Sequence, residues 1–308
     1  MKKQKWLTLL TACCMAAACA VAFAGCGESG GETEEDTDLV KGDWNKYTFT
    51  VTDDNRKDGD ETESLSYQVF VPSDYDASVS YPLITFVPDA SISTIGASKK
   101  EDGAKIWTTD EEQAKHPCLV LVVGWTATLT GDEGSFDPQG EYLEDIIYEV
   151  CDAFSIDTDR LYMTGQSQGG MTSFWYNINK PDLFAATIYV ACQWPTDGMD
   201  ETIVYDKFFY IVSDGDERAG PGQVEVQEVL DTAGVTYGYV EDLDATDTDG
   251  VESAVETMLE SGYDINMVRY RSGTVAGEGA SASSEHSGTW AYAYTIEAVR
   301  DWLFEQSK

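Results

Sequence analysis

The order of apolar and polar positions along this 308-residue chain alternates between strand and helix patterns. Period-two alternation predicts paired strands at 47–51 and 65–71, and unbroken apolar runs predict central strands at 82–88 and 118–124, covered on both faces. Helical spacing of apolar residues predicts a helix at 141–154 that packs against the sheet. The same criteria predict further strands at 160–165, 185–191, 207–213, 235–240 and 265–271, and further helices at 98–115, from about 169, at 222–233, 251–261 and 290–305.

Strands and helices that alternate in this way predict a mostly parallel sheet with helices on both faces. One sheet of about eight strands fits the length from residue 44 to residue 308, so we expect a single α/β domain over 44–308. No internal repeat divides this range.

The first 25 residues have the charged, apolar and small-residue order of an export signal. An apolar stretch follows the N-terminal lysines and ends at Ala24. The letters FAGC resemble a bacterial lipobox, which places lipid on Cys26, although Phe23 stands where leucine is usual. We therefore expect a lipoprotein signal peptide at 1–25, with export and anchoring by lipid to the outer face of the bacterial cytoplasmic membrane. A simple cleaved signal or a spanning helix is the alternative.

Residues 26–43 combine glycine with many acidic residues and predict a flexible tether. The chain has 56 acidic and 19 basic residues, a formal net charge of -37. Because such a charge repels phosphate backbones, no nucleic-acid partner is expected, and membrane contact is expected through the lipid anchor only. The cysteines after the signal lack metal-binding spacing, so no metal ion or cofactor is expected.

The segment Gly165–Gly169 has the pattern G-x-S-x-G, with Ser167 at its centre. The pattern lies between a predicted strand and a predicted helix, which is the context of a nucleophile elbow. Glycines on both sides indicate backbone that passes very close to a sharp turn, and the helix N-terminus behind Ser167 favours negative charge nearby. Ser167 is therefore predicted to be a nucleophile rather than a structural serine.

A serine hydroxyl needs a base, and the chain has two histidines. His116 precedes a central strand, away from the expected active edge, and is interpreted as a surface residue. His286 lies in a Gly/Ser-rich loop before the last helix, where it has the freedom to reach Ser167, and is the predicted base. Asp216 follows the strand at 207–213 and is preferred over Asp214 as the acid that holds the imidazole.

The chain resembles α/β-hydrolases related to polyhydroxybutyrate depolymerases and feruloyl esterases. The resemblance covers most of residues 47–305 and implies a serine hydrolase of this fold that acts on carboxylic esters, with Ser167, Asp216 and His286 at the matching positions. Many similar secreted proteins are described as peptidases, and a serine peptidase of the same fold is the first alternative. The alternative from another class is a non-catalytic surface binding protein on a hydrolase scaffold. The motifs that carry the resemblance are YQVFVPSDYDASVSYPLITFVPDAS at 67–91, IDTDRLYMTGQSQGGMTSFWYNINKPDLFAATIYVACQW at 156–194 and EHSGTW at 285–290.

The group usually has His-Gly at a turn that helps build the oxyanion hole, where this chain has Pro88-Asp89-Ala90. Pro88 has no N–H to donate. The oxyanion hole is therefore expected to use the backbone N–H of Gln168 and that of Asp89 or Ala90. One lost donor costs ~10²–10³ in rate, so this departure bears on efficiency more than on reaction type.

Two tryptophans follow strands near the expected active edge. Trp125 and Trp194 could form an aromatic wall for the acyl or phenolic group of an ester, which could derive from a polymer; ordinary packing is an equal alternative. Gln166 and Gln193 could orient a substrate, although no pattern assigns them that role.

Overall fold

The structure is a computed structural model that describes residues 39–91 and 95–308. The predicted signal peptide, the lipid site at Cys26 and most of the predicted tether lie outside the described residues. The segment Leu39–Lys308 forms one compact unit. None of the helices described in it is both long and apolar enough to cross a membrane.

Nine strands form one sheet in the described part of the chain. Their order is β1-β2-β4-β3-β5-β6-β7-β9-β8; β2 pairs antiparallel with β1 and β4, and all other neighbours are parallel. The mostly parallel sheet is confirmed, with one strand more than the expected eight. The strands are β1 Asp43–Thr50, β2 Ser64–Val71, β3 Tyr81–Val87, β4 Leu119–Gly124, β5 Ile156–Gln166, β6 Ala186–Val190, β7 Phe208–Ser213, β8 Gly238–Leu243 and β9 Ile265–Tyr270.

Helices cover both faces of the sheet. Successive side chains of a central strand point to opposite faces, and both sets are apolar, so each face needs a cover. In β3, Ile84 belongs to the buried cluster that contains Trp302, whereas Leu83 belongs to the cluster that contains Ile147. The α-helices are α1 Ile95–Ser98, α2 Asp102–Lys105, α3 Asp110–Lys115, α4 Tyr142–Ala153, α5 Gln168–Asn179, α6 Ala219–Ala233, α7 Thr248–Leu259, α8 Ala282–Ala293 and α9 Glu297–Phe304.

The last predicted helix differs from the structure in a way that affects the site. It is two helices, α8 and α9, and α8 begins before His286. The prediction of a flexible loop around His286 is therefore wrong. The Ser281 side chain accepts a hydrogen bond from the Ser284 N–H and caps α8, so serines that suggested a loop start a helix. The predicted helix at 98–115 likewise divides into short helices around a 3₁₀ turn at Ile106–Thr108.

Candidate active site

The carboxyl ends of parallel strands bring the predicted site residues to one edge of the sheet. Strand β5 leads directly into Ser167, and β3, its neighbour, leads into Asp89. Strand β7 leads into the turn that carries Asp216, and β9 leads through a loop into α8 with His286. The residues are far apart in sequence and adjacent in space because β5, β6, β7 and β9 lie side by side.

Ser167 lies on a sharp turn between β5 and α5. Its backbone has φ 53° and ψ -120°, a conformation that residues with a side chain rarely adopt. A Cβ atom at Gly165 would lie 2.3 Å from the carbonyl carbon of Gly169, and one at Gly169 would lie 1.9 Å from the Val87 oxygen. Both positions therefore require glycine. The G-x-S-x-G pattern predicted this close approach of neighbouring backbone.

Three predicted side chains form one chain of hydrogen bonds. His286 Nε2 lies 2.8 Å from Ser167 Oγ, and His286 Nδ1 lies 2.6 Å from Asp216 Oδ2. With a proton on Nδ1, the imidazole donates to the carboxylate while Nε2 accepts from the Ser167 hydroxyl. The Asp216 side chain is 3% exposed and that of His286 is 25% exposed, so the carboxylate is shielded from water behind the imidazole.

The Asp216 carboxylate is held in one orientation by backbone donors. Its Oδ1 accepts hydrogen bonds from the N–H of Arg218 at 3.0 Å and of Ala219 at 3.1 Å. Burial alone would raise the pKa of Asp216, but the hydrogen bond from His286 and those from the two N–H groups together lower that pKa below its usual value. Asp216 therefore stays ionised beside the imidazole. The Asp214 side chain, the alternative acid, is 63% exposed.

Glu285 is a buried carboxyl group next to His286 that the sequence did not reveal. It is 2% exposed, its Oε2 accepts from the Ser213 hydroxyl at 2.6 Å, and its Oε1 accepts from the Gly273 N–H at 2.8 Å. A Cβ atom at Gly215 would lie 2.6 Å from Glu285 Cδ, so the turn after β7 fits closely over this side chain. Glu285 thus fastens the helix that carries the imidazole to the ends of β7 and β9.

The predicted oxyanion-hole residues lie on both sides of the elbow. Gln168 is the first residue of α5, so its N–H has no partner within the helix. Its side chain is engaged elsewhere, because Oε1 accepts from the Leu129 N–H at 2.7 Å. The buried Asp89 carboxylate accepts from the Ser91 N–H at 2.6 Å within its own loop, and Ala90 is exposed.

A further carboxyl group, that of the partly buried Glu101, lies beside the elbow. The Gln166 side chain is buried and donates from Nε2 to Glu101 Oε2 at 2.8 Å. Burial, and then the nearby charges of Asp89 and Asp102, raise the pKa of Glu101 to about 8. A pKa of about 8 favours the protonated form of Glu101 at pH 7, and Gln166 is its hydrogen-bond partner.

A cavity of about 330 Å³ opens at Ser167. Trp125 and Trp194 are absent from its described lining, and both are buried in the apolar core. This burial favours ordinary packing, the alternative to an aromatic wall, for both indole rings. The described lining consists of Asp132, Ser167, Met171, Gln193, Asp216, Glu217, Arg218, Ala282, Ser283 and His286.

The second histidine lies away from this cavity. The His116 ring stacks on Phe304 with 4.4 Å between ring centroids, and its Nδ1 is 2.9 Å from Glu112 Oε1, so it joins α3 to α9. The Cys side chains in the described ranges are free thiols, and no group of three or more His, Cys, Asp or Glu residues there could hold a metal ion.

Solved structures with similar architecture share this arrangement of sheet and helices. A thermostable esterase superposes with a TM-score of 0.64 and 23% identity over 86% of this chain and 64% of its own, so the chain spans less than two thirds of that protein. A CE1 ferulic acid esterase from the anaerobic fungus Anaeromyces mucronatus gives a TM-score of 0.52 and 13% identity over 86% and 93% of the two chains. A dipeptidyl aminopeptidase IV-like protein from Bacteroides ovatus gives 0.53 and 13% over 85% and 36%.

The chain therefore has the α/β-hydrolase fold that its sequence predicted. No protein-family model matches the sequence, and no curated protein matches it.

Proposed function

We propose that this protein is a serine hydrolase that cleaves carboxylic esters. The proposal depends on one observation: Ser167 stands on a strained turn with its hydroxyl 2.8 Å from an imidazole that is itself hydrogen-bonded to a buried carboxylate. Backbone strain at a functional site persists only where the surroundings impose it, and here glycines on both sides permit it. A structural serine would need neither the strain nor the imidazole.

In the first half of the reaction, Ser167 Oγ attacks the ester carbonyl carbon while His286 Nε2 takes the hydroxyl proton. The imidazolium that forms is stabilised by Asp216, whose lowered pKa keeps it charged. The C–O bond to the alcohol then breaks, and His286 Nε2 returns the proton to the leaving oxygen. The products of this half are the free alcohol and an acyl group on Ser167.

The negative charge on the carbonyl oxygen needs donors that already point at it. The Gln168 N–H, at the start of α5, is the first donor, and the helix N-terminus adds a favourable field. The backbone of Asp89 or Ala90 supplies the second, because the end of β3 touches the elbow at Gly169. The Asp89 carboxylate is engaged by Ser91, which reduces its repulsion of the oxyanion.

In the second half, a water molecule replaces the alcohol. His286 Nε2 takes a proton from the water as its oxygen attacks the acyl carbon, and the bond to Ser167 Oγ breaks. The carboxylic acid leaves, and the serine hydroxyl regains its proton from the imidazole. We favour an ester over a peptide substrate because this chain covers 93% of the ferulic acid esterase but only 36% of the peptidase-like protein.

The test is turnover of short p-nitrophenyl esters by the purified protein, with peptide p-nitroanilides assayed in parallel. Ser167→Ala is expected to lower kcat for the esters by ~10⁶, the order found when a catalytic serine is removed. The matched control is Ser287→Ala, an exposed serine one residue after His286, which is expected to retain full activity. Ester turnover that persists in Ser167→Ala would contradict the proposal, and preferential cleavage of the anilides would assign a peptidase instead.

We also propose that the chain is exported and held by lipid on Cys26 at the outer face of the bacterial cytoplasmic membrane. The proposal is supported by the charged, apolar and small-residue order of residues 1–25 and by the letters FAGC. An alkyne fatty acid fed to cells is expected to label the protein, and Cys26→Ala is expected to lose the label. Equal labelling of both proteins would contradict lipid attachment at this cysteine.

A further inference from the structure

Three polar side chains form a bridge beside the cavity at Ser167. The Arg218 guanidinium forms an ion pair with Asp132 Oδ2, and Gln193 Nε2 donates to Asp132 Oδ1 at 3.1 Å. The bridge joins three different loops, those that follow β4, β6 and β7. The three bridge side chains make no described hydrogen bond to Ser167, His286 or Asp216; only the Arg218 backbone N–H donates to Asp216 Oδ1.

The bridge separates two hollows of nearly equal size. The cavity at Ser167, of about 330 Å³, and a neighbouring hollow of about 320 Å³ share Asp132, Gln193 and Arg218 in their linings. Beyond the bridge, the second hollow is lined by Pro221, Gly222 and Glu225 at the start of α6. Removal of the bridge side chains would therefore join the hollows and roughly double the space open to a ligand at Ser167.

Packing and hydrogen bonds fix the backbone of the loops that carry the bridge side chains. A Cβ atom at Gly222 would lie 2.6 Å from Gln193 Cβ, so Gln193 packs closely against α6. The loop that carries Asp132 is closed by the hydrogen bond from the Gly131 N–H to the Ser135 oxygen at 3.1 Å. The ion pair itself is open to water, with side chains 53% exposed at Asp132 and 65% at Arg218, and such pairs contribute little to stability. The bridge therefore acts as a partition between the two hollows and contributes little to the stability of the fold.

The proposed reaction fixes which part of an ester meets the partition. The leaving oxygen must lie at His286 Nε2, because that nitrogen returns the proton to it. Among the described hydrogen bonds, those of the Asp132 and Gln193 side chains join these two residues to each other and to Arg218, and none reaches α8. The acyl group is therefore the part of the substrate that extends from Ser167 toward the bridge.

We propose that the Asp132–Arg218 pair, braced by Gln193, sets the length of acyl group that this protein accepts. The inference rests on the proposed esterase function and adds a specificity determinant to it. With the bridge in place, the first cavity holds a short acyl chain; with the bridge removed, a longer chain enters the second hollow, whose described lining includes Pro221.

The experiment compares kcat/KM for p-nitrophenyl acetate and p-nitrophenyl octanoate in the unaltered protein and in four variants. Arg218→Ala and Asp132→Ala are each expected to raise the octanoate-to-acetate ratio at least ~10-fold, because a few methylenes gain or lose that much in a pocket. The exchange D132R/R218D is expected to restore the original ratio by reversing the ion pair. Arg271→Ala removes an exposed arginine that pairs with Asp244 at 2.8 Å on another loop, and it is expected to leave the ratio unchanged.

A second substrate series separates the acyl side from the alcohol side. Acetate esters of short and long alcohols are expected to show the same relative rates in Arg218→Ala as in the unaltered protein. The inference would be overturned by an unchanged octanoate-to-acetate ratio in Arg218→Ala, or by a change confined to the alcohol series. The proposed function would still stand in that case if Ser167→Ala loses ester turnover. Absence of turnover of every ester by the unaltered protein would overturn both.

Discussion

The residues that surround Ser167 and its cavity form a buried side and an exposed side, and the two are built differently. On the buried side, Asp216 and Glu285 are 3% and 2% exposed, and each accepts hydrogen bonds through both carboxylate oxygens. On the exposed side, Asp132 and Arg218 are each more than half open to water and pair mainly with each other.

This difference indicates that residues on the buried side serve the reaction and that those on the exposed side serve substrate selectivity. The imidazole that moves protons must keep the same orientation through each cycle, so buried carboxylates hold it and its helix in place. Groups that limit substrate size need only occupy space, and an exposed ion pair does so at little cost to stability. Substitutions on the buried side should therefore lower kcat, whereas those on the exposed side should change which ester is preferred.

Among substitutions that leave Ser167 in place, Asp216→Asn on the buried side should have the largest effect. The amide oxygen will face the two N–H groups of Arg218 and Ala219, which leaves the amide NH₂ facing His286 Nδ1. The imidazole must then carry its proton on Nε2, where it cannot accept one from Ser167. We expect kcat for esters to fall by ~10⁴ with the fold intact.

Asp214→Asn is the matched control, because the Asp214 side chain is largely exposed and lies in the same turn. Its kcat should stay within about twofold of the unaltered protein, the behaviour of a solvated surface charge. More than a tenth of the original kcat in Asp216→Asn would show that the imidazole does not depend on this carboxylate.

Gly169→Ala should be the next most severe change. The new Cβ would lie 1.9 Å from the Val87 oxygen, so β3 and the elbow must move apart. We expect a loss of ~1–3 kcal/mol in the free energy of unfolding and a ~10²-fold lower kcat, because the Gln168 N–H is displaced. Thermal unfolding and ester turnover measure these effects. Gly96→Ala is the control, since a Cβ there meets nothing within 4 Å; equal behaviour of the two variants would refute the packing argument.

Glu285→Ala should have a smaller effect on turnover. It leaves the Ser213 hydroxyl and the Gly273 N–H without their acceptor and frees the start of α8. We expect a ~10-fold to 10²-fold lower kcat with KM unchanged. Glu285→Gln should recover most of the rate, because its oxygen can accept from Gly273 while its NH₂ donates to the rotatable hydroxyl. Glu278→Ala, in the exposed loop before α8, serves as control, and a KM effect equal to the kcat effect would argue against a positioning role.

The smallest expected effect concerns Glu101, whose folded-state pKa of about 8 lies above its usual 4.5. Between these values the folded protein binds more protons at this site than the unfolded chain, so the group's contribution to stability is present at low pH and is lost as pH rises through about 8. We expect the Tm to fall from pH 6 to pH 9, and Glu101→Gln to show a shallower fall. Parallel Tm profiles for the two proteins would contradict burial of this carboxyl group.

The strands and the residues Ser167, His286 and Asp216 could be predicted from the sequence. Their patterns lie within short segments or follow from the order of strands in a parallel sheet. Unbroken apolar runs mark central strands, G-x-S-x-G describes a tight backbone, and two histidines leave few choices of base. Asp216 was selected by its position after a strand, which the parallel order of β5, β6 and β7 turns into proximity.

Other features depend on tertiary contacts that no short segment encodes. Glu285 is one of 56 acidic residues, and only its burial distinguishes it. The partition pairs residues 86 positions apart in two loops. Trp125 and Trp194 follow strands at the active edge, but each is buried in an apolar cluster instead of the cavity, and a side-chain direction of this kind is set by packing.

The most direct test is covalent labelling of the purified protein with a fluorophosphonate, which bonds to a serine activated by a neighbouring imidazole. We expect one adduct per chain, located at Ser167 by peptide mass spectrometry, and a strong loss of labelling in His286→Ala. Folded protein that takes up no label, or that takes it up at another serine, would contradict the assignment of Ser167 as the nucleophile.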